Sequence, residues 1–202
     1  MAIQIQTATQ RFIDKAHDLF KNEQDPEKRW PMMIPLMREM LADPEVQERS
    51  KLWPDCVVTD RAENLLLYED PTYGFVLNGL VKPANRVAPT GWKGIHDHAH
   101  IYTVYGVLDG AETIERYERL DDGSKADYAE IRQTAVMDVV PGVVDLVRPW
   151  EIHCEVNGAK RSVALILRSE KSGGFLQGRY DPDTNRYWQG LGPRQTPFQG
   201  LP

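Results

Sequence analysis

The sequence predicts a mainly β domain of barrel or sandwich type over residues 56–202, with an N-terminal helical extension over residues 1–55 packed against it. Three observations carry this. Apolar residues recur at helical spacing as far as Leu41. From Val57 they fall instead into short runs broken by Gly, Pro, Asp and Asn at regular spacing, the signature of many short strands. A hydrophobic fraction of 41% over 202 residues is enough to bury one core.

In the extension, Phe12, Ala16, Leu19 and Phe20 form an apolar stripe between charged residues, which predicts a helix from about Thr9 to Asn22. Asp25 reads as an N-cap and Pro26 as the first residue of a second helix, whose apolar face is Met32, Met33, Leu36, Met37, Met40 and Leu41. Methionines at this spacing fill core. A short helix follows from Pro44 to Lys51, and Trp53-Pro54 marks the break. Strand-like runs then cover 64–68, 73–81, 101–108, 111–120, 129–133, 143–148, 152–156 and 162–167, with a last hairpin turning around 182–185. Asp109-Gly110, Asp121-Asp122-Gly123, Pro141-Gly142 and Asn157-Gly158 supply the turns.

The bulk properties narrow the function. A net charge of −6 without a Lys/Arg stripe argues against nucleic acid, and no apolar stretch is long enough to cross a bilayer. The first residues lack the pattern of a signal peptide, so the chain reads as cytoplasmic. Two cysteines, Cys56 and Cys154, do not make a disulfide framework.

Three of the five histidines fall in Ile95-His-Asp-His-Ala-His100. Side chains alternate along an extended strand, so His96, His98 and His100 share a face and Asp97 opposes them. His153 lies at the start of another run. Two imidazoles spaced by one residue, with a third from a distant strand, suit a mononuclear metal site, and neutral imidazoles leave the ion its full charge to attract an anionic substrate.

The arrangement of His96-x-His98, Gly110, Pro149, His153 and Asn157 resembles the paired motifs of the cupin superfamily, which implies a double-stranded β-helix, or jelly roll, with one divalent metal. Many cupins add a Glu four or five residues after the second histidine. Tyr102 and Thr103 stand there instead, which implies an all-histidine site of His96, His98 and His153 and places Tyr102 and Thr103 in the substrate pocket. Over residues 10–190 the chain further resembles the bacterial thiol dioxygenases: Trp53-Pro-Asp, Asn64-Leu-Leu, Tyr68-Glu-Asp-Pro, Ile95-His-Asp-His98, Gly106-Val-Leu-Asp-Gly110 and Glu151-Ile-His-Cys-Glu-Val-Asn157 carry the likeness. It implies ferrous iron, dioxygen as co-substrate and oxidation of a small carboxylate-bearing thiol to a sulfinate. Zinc or nickel in the same site would imply a lyase, an isomerase or a binding protein, and iron with an enolate would imply C–C cleavage of a diketone.

The departures concern the substrate. Where that family carries a Ser-His-Tyr relay, this chain has Ile166, Arg168 and Glu170. Arg168 and Arg179 are the two candidates to grip the substrate carboxylate, as a guanidinium can bidentately. His100 and Glu170 are expected just behind the ligands. Trp92 and Trp150 are expected to pack beside the two motifs, Glu151 to reach the pocket rim, and Cys154 to point away from the metal. Cupins often pair through sheet edges or helical extensions, which leaves a homo-oligomer open.

Overall fold

In the computed structural model, residues 6–54, 62–84 and 92–202 are described, and Cys56 and Val57 lie outside them. Three helices open the chain: α1 (Ala8–Asn22), α2 (Pro26–Leu41) and α3 (Pro44–Ser50). Each start is capped as its sequence requires. Thr7 Oγ1 accepts from the Gln10 amide at 3.2 Å, Asp25 accepts from Glu27, and Asp43 accepts from Glu45. Pro26 and Pro44 occupy first-turn positions where no amide is needed.

Eleven strands follow: β1 (Glu63–Glu69), β2 (Val76–Lys82), β3 (Thr103–Asp109), β4 (Glu112–Arg119), β5 (Ile131–Val139), β6 (Val144–Val147), β7 (Ile152–Asn157), β8 (Ser162–Arg168), β9 (Leu176–Asp181), β10 (Arg186–Leu191) and β11 (Thr196–Pro197). The first sheet runs β11-β1-β2-β8-β3-β6 and the second β5-β4-β7, while β9 and β10 form a hairpin. His96 bridges to both His153 on β7 and Arg179 on β9, so the histidine segment extends the second sheet. Counted from β2, with the His96 segment as the second strand, the order is 1-8-3-6 facing 5-4-7-2. That order is the cupin double-stranded β-helix, with helices added at its N-terminus.

The longest correction is β5. The sequence marks a strand only at 129–133, yet the strand extends to Val139; residues 132–136 are all exposed, and Arg132, Gln133, Thr134, Ala135 and Val136 do not alternate polar with apolar. The two-residue β11 carries no apolar pattern at all.

Strand alternation divides the core in two. On the outer face of the first sheet, Phe75, Leu77, Val104, Leu165 and Leu167 pack against Trp30, Met33, Met37 and Met40 of α2. Met32, on the opposite side of α2, is exposed. Leu41 reaches so close to β3 that a Cβ on Gly106 would collide with its Cδ1. On the inner face, Leu80, Tyr105, Val107, Ile114, Ala164 and Ile166 fill the bottom of the barrel. The polar residues at its mouth belong to the site.

Candidate metal centre

β8 presents Ser162, Ala164, Ile166 and Arg168 inward, and β3 presents Thr103 and Tyr105 opposite Arg168 and Ile166. β7 presents His153 and, two residues on, Glu155. The donor atoms of His96, His98, His153 and Glu155 all lie within 4.8 Å of one another, a group that could hold a metal ion. The site is thus not purely histidine: a carboxylate is present, supplied after the third histidine rather than the second. The same period-2 reading that grouped His96 with His98 would have grouped His153 with Glu155.

The imidazoles are held by their far nitrogens. His96 Nδ1 donates to the Gly94 carbonyl at 2.8 Å and His153 Nδ1 to the Glu151 carbonyl at 2.9 Å. His98 Nδ1 lies 3.1 Å from Thr103 Oγ1. A carbonyl can only accept, so on His96 and His153 the proton sits on Nδ1 and the Nε2 lone pair is left free, while the Thr103 hydroxyl can serve His98 as donor or acceptor. His96 Nε2 and His98 Nε2 face each other at 3.1 Å, and His153 Nε2 is buried without a hydrogen-bond partner among the described residues. Converging ring nitrogens, two of them with free lone pairs, fit a cation. Burial, and next the neighbouring His153 ring, push the His96 pKa down to about 4; burial and then Arg168 push that of His98 well down. Burial opposes ionisation of Glu155, but the neighbouring His153 ring, 3.7 Å away, and the charge of Lys82 outweigh that and hold it well below the usual carboxylate range. Neutral imidazoles and an ionised carboxylate are the forms that ligate.

Arg168 lies over this group, 5% exposed, with Nη1 3.4 Å from His98 Nε2. Its other acceptors are Asn78 Oδ1 and Thr103 Oγ1, both neutral and both at 3.4 Å. No carboxylate pairs with it among the described residues, and burial lowers its pKa to about 10. Arg179 sits across the backbone bridge from His96 and lines the same cavity of about 520 Å³.

Several expected residues lie elsewhere. The chain turns at Ala99, whose φ is +52°, so the line of the strand ends at His98. His100 consequently leaves the face it would share with His96 and His98. It pairs with Glu170 at 3.2 Å on the surface, both side chains half exposed, and packs on Phe175. Tyr102 is likewise outside the pocket: it stacks on Trp30 and donates to Glu27 of α2. Thr103 is under His98, where it orients the ligand rather than facing the cavity. Trp150 is exposed, with φ of +62°, whereas Trp92 lines the cavity and donates to the Tyr180 carbonyl at 2.8 Å. The Glu151 carboxylate pairs with Arg116, so only its carbonyl serves the site. Cys154 points away, buried against Glu115. Asp97 also faces away and is a hub: Oδ1 accepts from the Ala99 and Gly178 amides, and Oδ2 from Tyr180 at 2.8 Å. Beneath the site, Lys82 pairs with Glu112 at 2.5 Å, a contact no spacing rule announces.

No protein-family profile and no curated protein matches the sequence. Solved structures do. The DMSP lyase DddQ from Ruegeria pomeroyi is 13% identical with a TM-score of 0.40, covering 57% of this chain and 50% of that one. A cupin superfamily protein from Desulfitobacterium hafniense is 15% identical with a TM-score of 0.39, over 58% of this chain and 84% of that one. Oxalate oxidase in complex with glycolate is 15% identical with a TM-score of 0.38, over 64% and 54%. Of the first structure matched, one of DMSP lyases, the chain covers 39%. The fold assignment rests on strand order and not on these likenesses.

Proposed function

We propose that the chain is a mononuclear metal-dependent enzyme acting on a small carboxylate-bearing substrate. One observation carries the reading: three imidazole nitrogens and the Glu155 carboxylate converge beside a buried guanidinium whose hydrogen-bond partners among the described residues are all neutral. A buried guanidinium without a hydrogen-bonded anion is unfavourably placed; Glu155 acts on Arg168 only through space, so a substrate carboxylate supplies the direct partner. Arg168 holds and orients its carboxylate, Thr103 fixes the His98 ring, and the apolar floor of Leu80, Tyr105 and Ile166 excludes water. With iron(II), the metal would supply binding and activation of dioxygen next to a substrate thiolate, and the resemblance of Ile95-His-Asp-His98 and the His153 motif to the thiol dioxygenases supports oxidation of a thiol acid to a sulfinate. Localisation in the cytoplasm accords with that reading.

Glu155 favours a second reading. A carboxylate whose Oε1 is 3.7 Å from His153 Nε2 either completes the ligand set or acts as a base on the substrate, which suits a zinc- or nickel-dependent lyase or isomerase.

The experiment is metal analysis of the purified protein with an oxygen electrode. Iron, and oxygen uptake on addition of 3-mercaptopropionate, support the thiol reading. Uptake with a β-diketone alone moves the reaction to C–C cleavage, and zinc without any uptake favours the second reading. Undiminished metal content in His153→Ala would refute the metal centre itself.

A further inference from the structure

The cavity has more cations than one carboxylate needs. Glu155 is the only acidic side chain lining it among the described residues, against Lys82, Lys93, Arg168, Arg179 and Arg194. Lys82 is matched by Glu112, and Lys93 is 3.4 Å from Asp183. Arg168, Arg179 and Arg194 have no carboxylate partner among the described residues.

Arg168 and Arg179 are fixed beside different histidines of the metal group, His98 and His96. Arg168 is tethered to Asn78 and Thr103 beside His98. Arg179 is on β9, directly across from His96; backbone bonds from Asp97 to Gly178 (3.1 Å) and from Tyr180 to Ile95 (3.0 Å) hold that register. Its guanidinium is also tethered by a neutral acceptor, Nη2 donating to the Leu191 carbonyl at 2.7 Å, and it lies over the Trp92 ring with Cζ 5.6 Å from the centroid. On its other side is Gly190, where a Cβ would stand 2.8 Å from Cζ; the missing side chain makes the room. A slot of this kind, with an aromatic floor, a glycine roof and one backbone tether, leaves the remaining N–H donors of the fork free to take a planar anion.

Resting on the metal-centre reading above, we propose that the substrate is a dicarboxylate. Arg168 holds the carboxylate nearest the metal beside His98, and Arg179 takes the second carboxylate on the His96 side, with Arg194 at the mouth adding to its field. A cavity of about 520 Å³ accommodates a four- or five-carbon diacid together with its water.

The test uses the full chain loaded with zinc(II), its zinc content measured first, and calorimetric titration with propionate, succinate and glutarate at one ionic strength. The expected result is that succinate or glutarate binds at least tenfold more tightly than propionate. Arg179→Gln should remove that advantage and leave propionate binding as it was, whereas Arg168→Gln should weaken all three acids. Equal affinity for mono- and diacids in the native protein would overturn the inference, and that comparison decides even if a variant fails to fold. So would equal weakening of both classes by Arg179→Gln. A chain that takes up no zinc refutes the metal centre and the substrate class together; a zinc-loaded chain without diacid preference refutes the substrate class alone.

Discussion

Lys82→Met isolates the buried ion pair beneath the metal group. Lys82 Nζ is 2.5 Å from Glu112 Oε2, with side-chain exposures of 4% and 1%, and Ser162 Oγ donates to Oε1 at 2.5 Å. Removing the ammonium leaves a buried carboxylate without its cation, which costs about 3–5 kcal/mol. At about 2–4 °C per kcal/mol for a chain of this size, Tm falls by about 10 °C. The double variant Lys82→Met with Glu112→Leu removes both charges and should recover most of the loss, because well-packed apolar replacements of a buried pair are often neutral. Urea unfolding at pH 7 measures both, with an unchanged slope confirming that the unfolded state is the same. A single-variant loss below about 1 kcal/mol, the value of an exposed pair, would refute the reasoning, as would a double variant no better than the single one. Lys82 also holds down the pKa of Glu155, so the single variant should lose metal affinity as well as stability.

Three further outcomes are expected. His96 is held neutral with a pKa near 4, against 6.5 when unfolded. The unfolded chain therefore takes up its proton first as the pH falls. The metal-free protein should lose about 3 kcal/mol of stability between pH 6.5 and 4, and His96→Gln should flatten that slope in urea titrations. Gly106→Ala places a methyl against Leu41 and should cost about 1–3 kcal/mol, partly relieved by Leu41→Ala, both read from thermal melts. Thr103→Val should lower metal affinity about 10- to 100-fold by releasing His98, whereas Tyr102→Phe should cost about 1 kcal/mol of stability and leave metal content untouched.

The ligand histidines and the β architecture are legible in the sequence because both depend on a period of two residues. Glu155 was legible by the same rule but lies beside the third ligand, outside the place where cupins usually carry their glutamate. His100 misled because alternation holds only while the chain stays extended, and nothing in His-Ala-His announces a left-handed residue at Ala99. Tyr102 misled for another reason: its partners Trp30 and Glu27 come from a helix some 75 residues earlier, and local spacing carries no trace of them. The exposed part of β5 lacks the apolar signal because its two faces both meet solvent. Arg179 was visible as a candidate, but its slot requires Gly190 and Trp92 from two other segments.

Ala99 and Trp150, both non-glycine residues with positive φ, are joined by a hydrogen bond of 2.7 Å from the Trp150 amide to the Ala99 carbonyl. Each corner is disfavoured by about 1–2 kcal/mol relative to ordinary backbone, and each is the other's support. One stands just after His98 and the other just before His153. Neither can relax without releasing its neighbour, so the two ligand-bearing segments are fastened like the halves of a latch. That fastening sets the spacing of the two segments, and substitutions at these two corners should change how selectively the group takes up ions of different radius, read by titration with a series of divalent metals.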